Sequence, residues 1–592
     1  MKEEVNKKEN ITPNRGFLKN LKSTYKYAKK GRKYLILFLF INILLTVISV
    51  IVPVISAKRL ISLTNGLFER LLCLVLIIFG LEIFRNIMRY LFKYVYNKFY
   101  YDVRRNLQIA LTRETLKITQ EELNSNSSGI FIERINNDTD NLTDIFIDLI
   151  DYLTGVIGNI GVLIAIFFIN IYIGVAYIIF IIITIIYNKY SSNINYENRK
   201  EWKKNREKTG GFISEIVRGA KDIKILDAEE SFLIKASDYI EETNNVSYKY
   251  QITKAKLNMF SGTISDICDL GISILIYIFL VSGGLTIESA IIIYNYHRQI
   301  IWTADWIESI YEVIKKFNLS ANRIFGILEE KEFKKEQFGS KKIQNFKGNI
   351  EFRNVKFSYE DGLTVLNGIN LKINANETVG FVGPSGAGKT TIFNLISALN
   401  KIDSGEILLD NMNINELDKS SIRGNLSVIS QNAYIFNMSI MDNLKVVKMD
   451  ATEEEIKESC HLACLDDFIE SLPDKYNTIV GEGGVTLSGG QKQRLAIARA
   501  LLLKTEILLF DEATSALDNE TQTKIQEAIN NLKGEYTILI IAHRLSTVID
   551  SDKIFVIDGG KVEAEGTHDY LIKTSEVYKR LYKKELQTIN ND

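Results

Sequence analysis

The strongest constraint on the fold is a group of apolar segments in the first half of this 592-residue chain. A helix needs roughly 20 apolar residues to cross a bilayer, and six segments are long enough. They lie at Tyr34–Ser56, Leu71–Phe92, Ile145–Ile169, Ile171–Tyr187, Leu257–Leu285 and Ile287–Ile307. The third and fourth segments are nearly continuous, so we expect the chain to turn near Asn170. The sequence therefore predicts a membrane α-helical bundle with six transmembrane helices.

Basic residues are concentrated in three of the stretches that flank these segments. They precede the first segment, follow the second and follow the fourth, whereas the turns after the third and fifth segments carry almost no charge. Because Lys and Arg remain on the cytoplasmic side, we expect the chain to start in the cytoplasm and to return there near residue 310. The polar, Lys-rich first 30 residues do not resemble a removable signal peptide.

The second half of the chain has a different pattern. Short β-rich runs alternate with helical patterns after residue 345, which is typical of a largely parallel sheet with ligand sites at its strand ends. The predicted parts are a basic segment with an elbow helix at 1–33, a membrane domain at 34–325, a linker at 326–345 and an α/β domain at 346–592. The formal net charge is zero, so no overall basic field favours a nucleic acid partner.

A glycine-rich loop follows the predicted strand Thr378–Val382 and opens the predicted helix Thr391–Leu399. This is the context of a phosphate-binding loop, in which backbone N–H groups and a helix N-terminus surround a phosphate. We expect Lys389 to reach the β and γ phosphates of a nucleotide and the Thr390 hydroxyl to bind Mg²⁺. The candidate nucleotide-binding residues here are Gly383, Pro384, Ser385, Gly386, Ala387, Gly388, Lys389, Thr390 and Thr391.

Two adjacent carboxylates end a second apolar strand. Asp511 and Glu512 follow the run that begins at Ile507. We expect Asp511 to bind Mg²⁺ through a water molecule. We expect Glu512 to be the base that orients or deprotonates the attacking water. Adjacent acids at a strand end are also common in solvated loops, so this pair depends on the phosphate loop for its interpretation.

A third motif makes the interpretation specific. Leu487 is followed by Ser488, Gly489, Gly490 and Gln491, and then by a predicted helix over Lys492–Leu503. With this signature the sequence resembles the ATP-binding cassette (ABC) family, and the resemblance extends over the whole chain. Further motifs occur in the family's order at Tyr359, Gln431, Asp518 and His543.

The resemblance implies a role for each of these residues. Tyr359 would stack on adenine, Gln431 would join the Mg²⁺ ligands Thr390 and Asp511, and His543 would sense the γ-phosphate alongside the catalytic residues Glu512 and Lys389. Ser488, Gly489, Gly490 and Gln491 would contact the nucleotide held by the opposite subunit, and Asp518 would belong to the same site. The implied ligands are ATP and Mg²⁺, and the implied partner is a second half-transporter chain.

The membrane half resembles exporters of this family. The resemblance implies coupling segments near Thr119–Ser127 and Lys221–Ala228, a bacterial plasma membrane location, and a nucleotide-binding domain in the cytoplasm. The cargo would be drug-like, a lipid or a peptide. Two alternatives remain open: the chain could pair with a different, degenerate chain, or it could be an importer or flippase on the same scaffold. Gly483 and Lys401–Gly405 depart from the usual family pattern, away from the phosphate chemistry.

Two further groups of residues are candidates for a functional role. Cys460, His461 and Cys464 share one helical turn and suit a core face better than a metal site. Charged residues within or near the spans are costly in a membrane, so we expect them to pair between helices. The alternative is that some of the acids line an inner cavity and favour a cationic amphipathic cargo. They are Glu82, Arg85, His297, Arg298, Asp148, Asp151, Asp266 and Asp269.

Overall fold

The computed structural model describes residues 15–29, 31–126, 128–329, 332–359, 362–430, 433–481, 484–511, 523, 526–527, 529–542 and 544–589. These residues form two compact units. The first unit contains the chain up to Leu116 and from 127 to Phe333, and the second contains Lys117–Asn126 and the chain from Lys334 onward. The division therefore falls inside the predicted linker at 326–345, and a ten-residue loop from the first half joins the second unit.

The first unit is built from helices alone among its described residues. Its helices are α1 (Phe17–Lys26), α2 (Arg32–Thr64), α3 (Phe68–Thr115), α5 (Ser128–Glu133), α6 (Thr139–Ile169), α7 (Ile171–Arg218), α8 (Ala220–Ile225), α9 (Glu229–Val281) and α10 (Ile287–Leu328). A π-helical turn at Arg134–Asp138 joins α5 to α6. Helix α4 (Gln120–Ser125) lies in the loop that joins the second unit.

Five of the long helical stretches are apolar enough to cross a membrane. They are α2, α3, the stretch Ser128–Ile169, α7 and α9. At most a third of the most apolar part of each is buried within the unit, which is expected when lipid rather than protein covers the apolar surface. The sixth predicted span lies within α10, a single helix. The apolar character of α10 is interrupted by the polar residues Asn295 to Gln299, so its membrane crossing stays a prediction.

The predicted turn at Asn170 is confirmed. Asn170 adopts an extended conformation between α6 and α7, and its side-chain oxygen accepts hydrogen bonds from the backbone of Tyr172 (3.0 Å) and Ile173 (3.2 Å). These bonds satisfy N–H groups that a helix leaves unpaired in its first turn. One short polar side chain therefore separates two helices that are otherwise continuous.

Several polar side chains of the predicted spans are paired. His297 of α10 lies 2.8 Å from an Asp269 oxygen of α9, and its other ring nitrogen lies 3.0 Å from the Tyr177 hydroxyl of α7. The Asn42 amide of α2 donates to Asp151 of α6 at 2.9 Å. These contacts agree with the predicted pairing between helices, since each joins different helices.

The charged pair of α3 behaves differently. Arg85 and Glu82 form an ion pair within α3 itself, one turn apart, so they neutralise each other without a second helix. The side chain of Arg298 lies outside those that the structure describes.

The second unit contains two main sheets and a two-stranded ribbon. A four-stranded antiparallel sheet has the order β2-β1-β4-β5, a six-stranded sheet has the order β12-β11-β3-β10-β9-β6, and β7 pairs with β8. The strands are β1 (Ile350–Ser358), β2 (Thr364–Ile373), β3 (Thr378–Val382), β4 (Ser404–Leu409), β5 (Met412–Asn413), β6 (Leu426–Ile429), β7 (Met438–Ser439), β8 (Ile479–Val480), β9 (Ile507–Asp511), β10 (Thr537–Ile541), β11 (Lys553–Asp558) and β12 (Lys561–Gly566).

The six-stranded sheet is parallel except at β12. Its central strands β3 and β10 are fully buried, as expected for parallel strands covered on both faces. The described helices of this unit besides α4 are α11 (Lys389–Ile396), α12 (Lys419–Arg423), α13 (Ile440–Lys445), α14 (Glu453–Leu462), α15 (Asp466–Ser471), α16 (Gly489–Leu503), α17 (His568–Thr574) and α18 (Glu576–Ile589). The parallel strands therefore bring their carboxyl ends to one edge, where the phosphate loop begins and Asp511 lies.

The loop that contains α4 is paired with the predicted linker. Thr119 donates its backbone N–H to the Lys334 carbonyl at 3.0 Å, and Glu336 donates to the Lys117 carbonyl at 2.8 Å. Helix α4 falls inside the first predicted coupling segment, and α8 begins one residue before the second and otherwise lies within it, although Ser127 lies outside the described residues.

Glu336 holds the linker to the α/β domain through a bidentate ion pair with Arg423. Both of its oxygens accept hydrogen bonds from the Arg423 guanidinium at 3.0 and 2.7 Å. Arg423 also donates to the carbonyls of Ser397 (3.1 Å) and Ala398 (3.0 Å). The side chains are only 11% exposed for Glu336 and 23% for Arg423. A lysine in place of Arg423 would keep the charge and lose the planar fork.

We therefore predict that Arg423→Lys lowers the free energy of unfolding of the second unit by roughly 1 to 3 kcal/mol, the range for hydrogen bonds to partly buried charged groups. Thermal unfolding of the purified protein would measure the loss. The matched control is Lys341→Arg, which alters an exposed ion pair with Glu416 and should change stability by less than about 0.5 kcal/mol. Equal effects of the two variants would contradict the prediction.

Candidate functional site

The glycine-rich loop joins β3 to α11 with a backbone that only glycine fits at two points. Gly383 has φ +154°, and a Cβ there would lie 2.0 Å from the Ile557 carbonyl oxygen. Gly388 has φ +100°, and its Cβ would lie 2.6 Å from the Leu366 side chain. Contacts this short force the surroundings to move. The loop is thus shaped by close packing of its backbone against Ile557 and Leu366.

Lys389, the first residue of α11, is held inside the loop. Its ammonium group donates to the carbonyls of Gly383 (2.9 Å) and Pro384 (3.0 Å), and the residue is only 6% exposed. A buried ammonium group needs such acceptors because burial alone penalises its charge. The Lys389 side chain therefore extends across the loop. A lysine in this position can contact a phosphate that the loop surrounds.

Thr390 and Asp511 come together from distant parts of the chain. The Thr390 hydroxyl donates to an Asp511 carboxylate oxygen at 3.3 Å. Asp511 ends β9, and Thr390 lies in the first turn of α11 after β3. Hydroxyl and carboxylate oxygens are the hard ligands that Mg²⁺ prefers. Two of the three residues predicted as Mg²⁺ ligands therefore form one cluster beside the phosphate loop, and the third, Gln431, lies outside the described residues.

The register of the sheet extends this cluster. Ile541 of β10 pairs with Phe381 of β3 on one side and with Asp511 of β9 on the other. The next residue, Ala542, donates its N–H to the Phe381 carbonyl at 3.2 Å. Three parallel strands thus end side by side. In the sequence, the phosphate loop follows β3, Glu512 follows β9, and His543 comes shortly after β10.

Four of the predicted site residues lie outside the described part of the chain: Gln431, Glu512, Asp518 and His543. Tyr359 is described and half-buried. Its hydroxyl lies 3.2 Å from the hydroxyl of Thr391, and its ring packs edge-on against Phe357 at 4.9 Å. The predicted adenine-stacking residue therefore lies next to the first turn of α11.

The signature begins helix α16 with reciprocal hydrogen bonds. The Ser488 hydroxyl accepts from the Gln491 N–H at 3.3 Å, and the Gln491 side chain accepts from the Ser488 N–H at 2.8 Å. This capping box fixes the start of the helix. The N–H groups of Gly489 and Gly490 lie in the first turn, where a helix favours an anion. Gln491 thus has an observed role in shaping this turn.

Arg499 is a residue of the signature helix that sequence reasoning missed. It lies three turns after Ser488 and donates to the carbonyls of Asn443 (2.9 Å) and Tyr434 (2.8 Å). Burial lowers the pKa of Arg499. Asn443 is fully buried and hydrogen-bonds the backbone of Phe436, Met438 and Ser439. Arg499 therefore ties the signature helix to the chain that follows Gln431, a contact that sequence spacing does not indicate.

The cysteine and histidine cluster shows no metal arrangement within the described residues. Cys460 is buried in the core, and burial raises the pKa of its thiol to about 12. His461 instead faces Asp466, with 2.5 Å between the ring nitrogen and a carboxylate oxygen. Cys460 therefore lies on the core face of α14 as predicted, whereas Cys464 follows the end of that helix with φ +54°, so the three residues do not share one helical turn.

Gly383→Ala is predicted to weaken nucleotide binding by roughly ten-fold or more, because the clash with Ile557 must displace the loop. Titration of the purified protein with a fluorescent ATP analogue would measure the affinity. Gly534→Ala is the matched control, since Gly534 also has a positive φ of +81° but nothing within 4 Å of a built Cβ. Wild-type affinity in Gly383→Ala would contradict the prediction.

Comparison with known families matches both halves of the chain. Residues 35–304 match the ABC transporter transmembrane region, and residues 366–515 match the ABC transporter family. The first match covers most of the first unit. The second match contains the phosphate loop, the signature and the acid pair.

Curated proteins show the same likeness over long stretches. A putative multidrug export ATP-binding/permease protein of Staphylococcus aureus is 32% identical over 84% of this chain and 86% of its own length. The ATP-dependent lipid A-core flippase of Haemophilus influenzae is 45% identical over 41% of this chain and 42% of its own length.

A solved structure shows the fold. A bacterial Atm1-family ABC exporter with ATP bound superimposes with a TM-score of 0.81, at 24% identity, over 94% of this chain and 98% of that chain. The sequence matches cover well over half of the chain, and they place both a membrane region and a nucleotide-binding region in one polypeptide. The chain therefore belongs to the ABC transporter family, as a multi-pass membrane protein with a fused ATPase domain.

Proposed function

We propose that the chain is one half of an ATP-driven exporter that works as a dimer. The observation that supports this most directly is that the sequence contains one phosphate loop and one signature. A transferring phosphoryl group is stabilised by N–H donors placed around it. The first turn of α16 is a second set of such donors, so two chains could complete two sites by placing each signature against the other chain's phosphate loop.

The described residues fit a nucleotide with Mg²⁺. Lys389 would contact the β and γ phosphates, and Tyr359 would contact the adenine. Thr390 and Asp511, which lie 3.3 Å apart, would hold the ion together with Gln431. When bound, Mg²⁺ neutralises charge on the phosphates. Ser488, Gly489, Gly490 and Gln491 would complete the site from the partner chain, and Asp518 would belong to the same site.

Hydrolysis is assigned to residues that follow the aligned strand ends. Glu512 comes directly after Asp511 in the sequence, and His543 comes two residues after Ile541, which pairs with Asp511 in the sheet. Glu512 would take the proton of the attacking water, and His543 would hydrogen-bond the γ-phosphate. This assignment rests on the register of β3, β10 and β9 together with the family membership.

Transport would follow by alternating access. Nucleotide binding would close the two ATPase domains and turn the membrane helices from inward-open to outward-open, and hydrolysis would reset them. Helices α4 and α8 are the proposed coupling segments. The names of the relatives, a multidrug export protein and a lipid A-core flippase, favour a drug-like or lipid cargo over a peptide, moved outward across the plasma membrane of a bacterium.

Glu512→Gln should keep ATP binding and lower turnover by about 10²- to 10⁴-fold, the range for a lost general base. Phosphate release and binding of a fluorescent ATP analogue would be measured on the same preparation. Glu506→Gln, at the opposite end of β9, is the matched control and should retain turnover. Normal turnover in Glu512→Gln would overturn the assignment.

We expect the chain purified alone to hydrolyse ATP, because it carries both halves of a site. Size-exclusion chromatography with light scattering, run on the active fraction, should show a dimer. A protein that is folded and binds ATP but shows no turnover alone would instead favour an obligatory partner of different sequence.

A further inference from the structure

The chain after His543 is held by α18, the last of the described helices. Helix α18 carries Glu585, whose carboxylate accepts a hydrogen bond from the Leu545 N–H at 2.6 Å and another from the Ser546 N–H at 3.4 Å. These two N–H groups open the 3₁₀ turn Leu545–Thr547, where no earlier carbonyl of the turn can accept them. A carboxylate is the strongest acceptor available for such groups.

The other side of His543 is also anchored. Ala542 donates to the Phe381 carbonyl of β3 at 3.2 Å. Leu545 and Thr547 are buried, and Thr547 hydrogen-bonds the Arg544 carbonyl at 2.7 Å. The chain is therefore fixed before His543 by the central sheet and after it by Glu585. The second anchor comes from a residue about forty positions away in the sequence.

Helix α18 is itself rigidly placed, so Glu585 can act as a fixed point. Tyr578 is fully buried, and its hydroxyl lies 2.7 Å from a ring nitrogen of His568. Tyr582 packs its ring against His568 at 5.3 Å. Residues 578, 582 and 585 follow the spacing that puts side chains on one helix face. Burial, aided by the charge of Glu585, raises the pKa of Tyr578 to about 12.

We propose that Glu585 is a positioning residue for ATP hydrolysis, which holds the turn after His543 so that His543 reaches the γ-phosphate. This inference rests on the role of His543 in the proposed function. Glu585 does not touch the nucleotide in this account. Its loss should therefore lower kcat with little change in the KM for ATP, since binding depends mainly on the phosphate loop.

The test compares variants of the purified full-length chain. Glu585→Ala should lower kcat by about ten-fold, a size typical of a misplaced catalytic group, with KM changed by less than about two-fold. Glu585→Gln keeps one acceptor oxygen and should recover most of the rate. Glu576→Ala removes an exposed acid that pairs with Lys579 on the same helix, and it should behave as wild type.

Hydrogen–deuterium exchange supplies a local readout. The peptide that contains Leu545 and Ser546 should exchange faster in Glu585→Ala than in wild type, because the turn should open more often without the Glu585 carboxylate. The same peptide should be unchanged in Glu576→Ala. Unchanged exchange and unchanged kcat in Glu585→Ala would overturn the inference.

A double variant separates this inference from the proposed function. If Glu585 acts through His543, then adding Glu585→Ala to His543→Ala should cause no further loss, measured by phosphate release over long incubations. Losses that multiply would overturn the role of Glu585 and leave His543 intact as the sensor. Wild-type turnover in His543→Ala alone would overturn the proposed role of His543, and the inference with it.

Discussion

The site depends on the register of three parallel strands. Phe381, Ile541 and Asp511 lie side by side in β3, β10 and β9, so the segments that follow them leave the sheet at one edge. Ligands bind at this edge of a parallel sheet because the carboxyl ends of its strands meet there. The hydrogen bond between Thr390 and Asp511 is a direct consequence, since it joins the helix after β3 to the end of β9.

The segments around this edge are held by contacts that lie far from the nucleotide residues themselves. Arg499 joins the signature helix to the chain after Gln431, Glu585 holds the turn after His543, and Arg423 clamps the linker at Glu336. In each case a charged side chain hydrogen-bonds groups that are distant from it in the sequence. Charge-assisted hydrogen bonds of this kind fix geometry as well as adding stability. The chain around Asn443 and the turn at Leu545 are thus each attached to a helix.

Local sequence patterns were sufficient to predict much of the fold. The run at Thr537–Ile541 is observed as β10, and Asn170 separates α6 from α7 as expected, because a hydrogen-bonding side chain acts within a few residues. The phosphate loop was also predictable, since its glycines, lysine and threonine are contiguous. Each of these features is formed by residues that lie close together in the sequence.

The contacts that were missed join residues distant in the sequence. Nothing in the spacing of Arg499 or Glu585 identifies Asn443 or Leu545 as a partner, because such contacts arise only after the strands are ordered. The pairing of the loop at Lys117–Thr119 with Lys334–Glu336 is of the same kind. Helix α10 shows another limit, because its polar residues, including His297 with its contacts to Asp269 and Tyr177, lower the apolar signal of the predicted sixth span.

The central claim is that each ATP site is shared between two chains. It is tested most directly by mixing two inactive variants, Lys389→Ala and Ser488→Arg, that carry different affinity tags, and by purifying the doubly tagged dimers. Such a dimer would contain one site with both defects and one intact site, so the account predicts that ATP hydrolysis returns to a substantial fraction of the wild-type rate. Doubly tagged dimers that remain as inactive as each variant alone would contradict it.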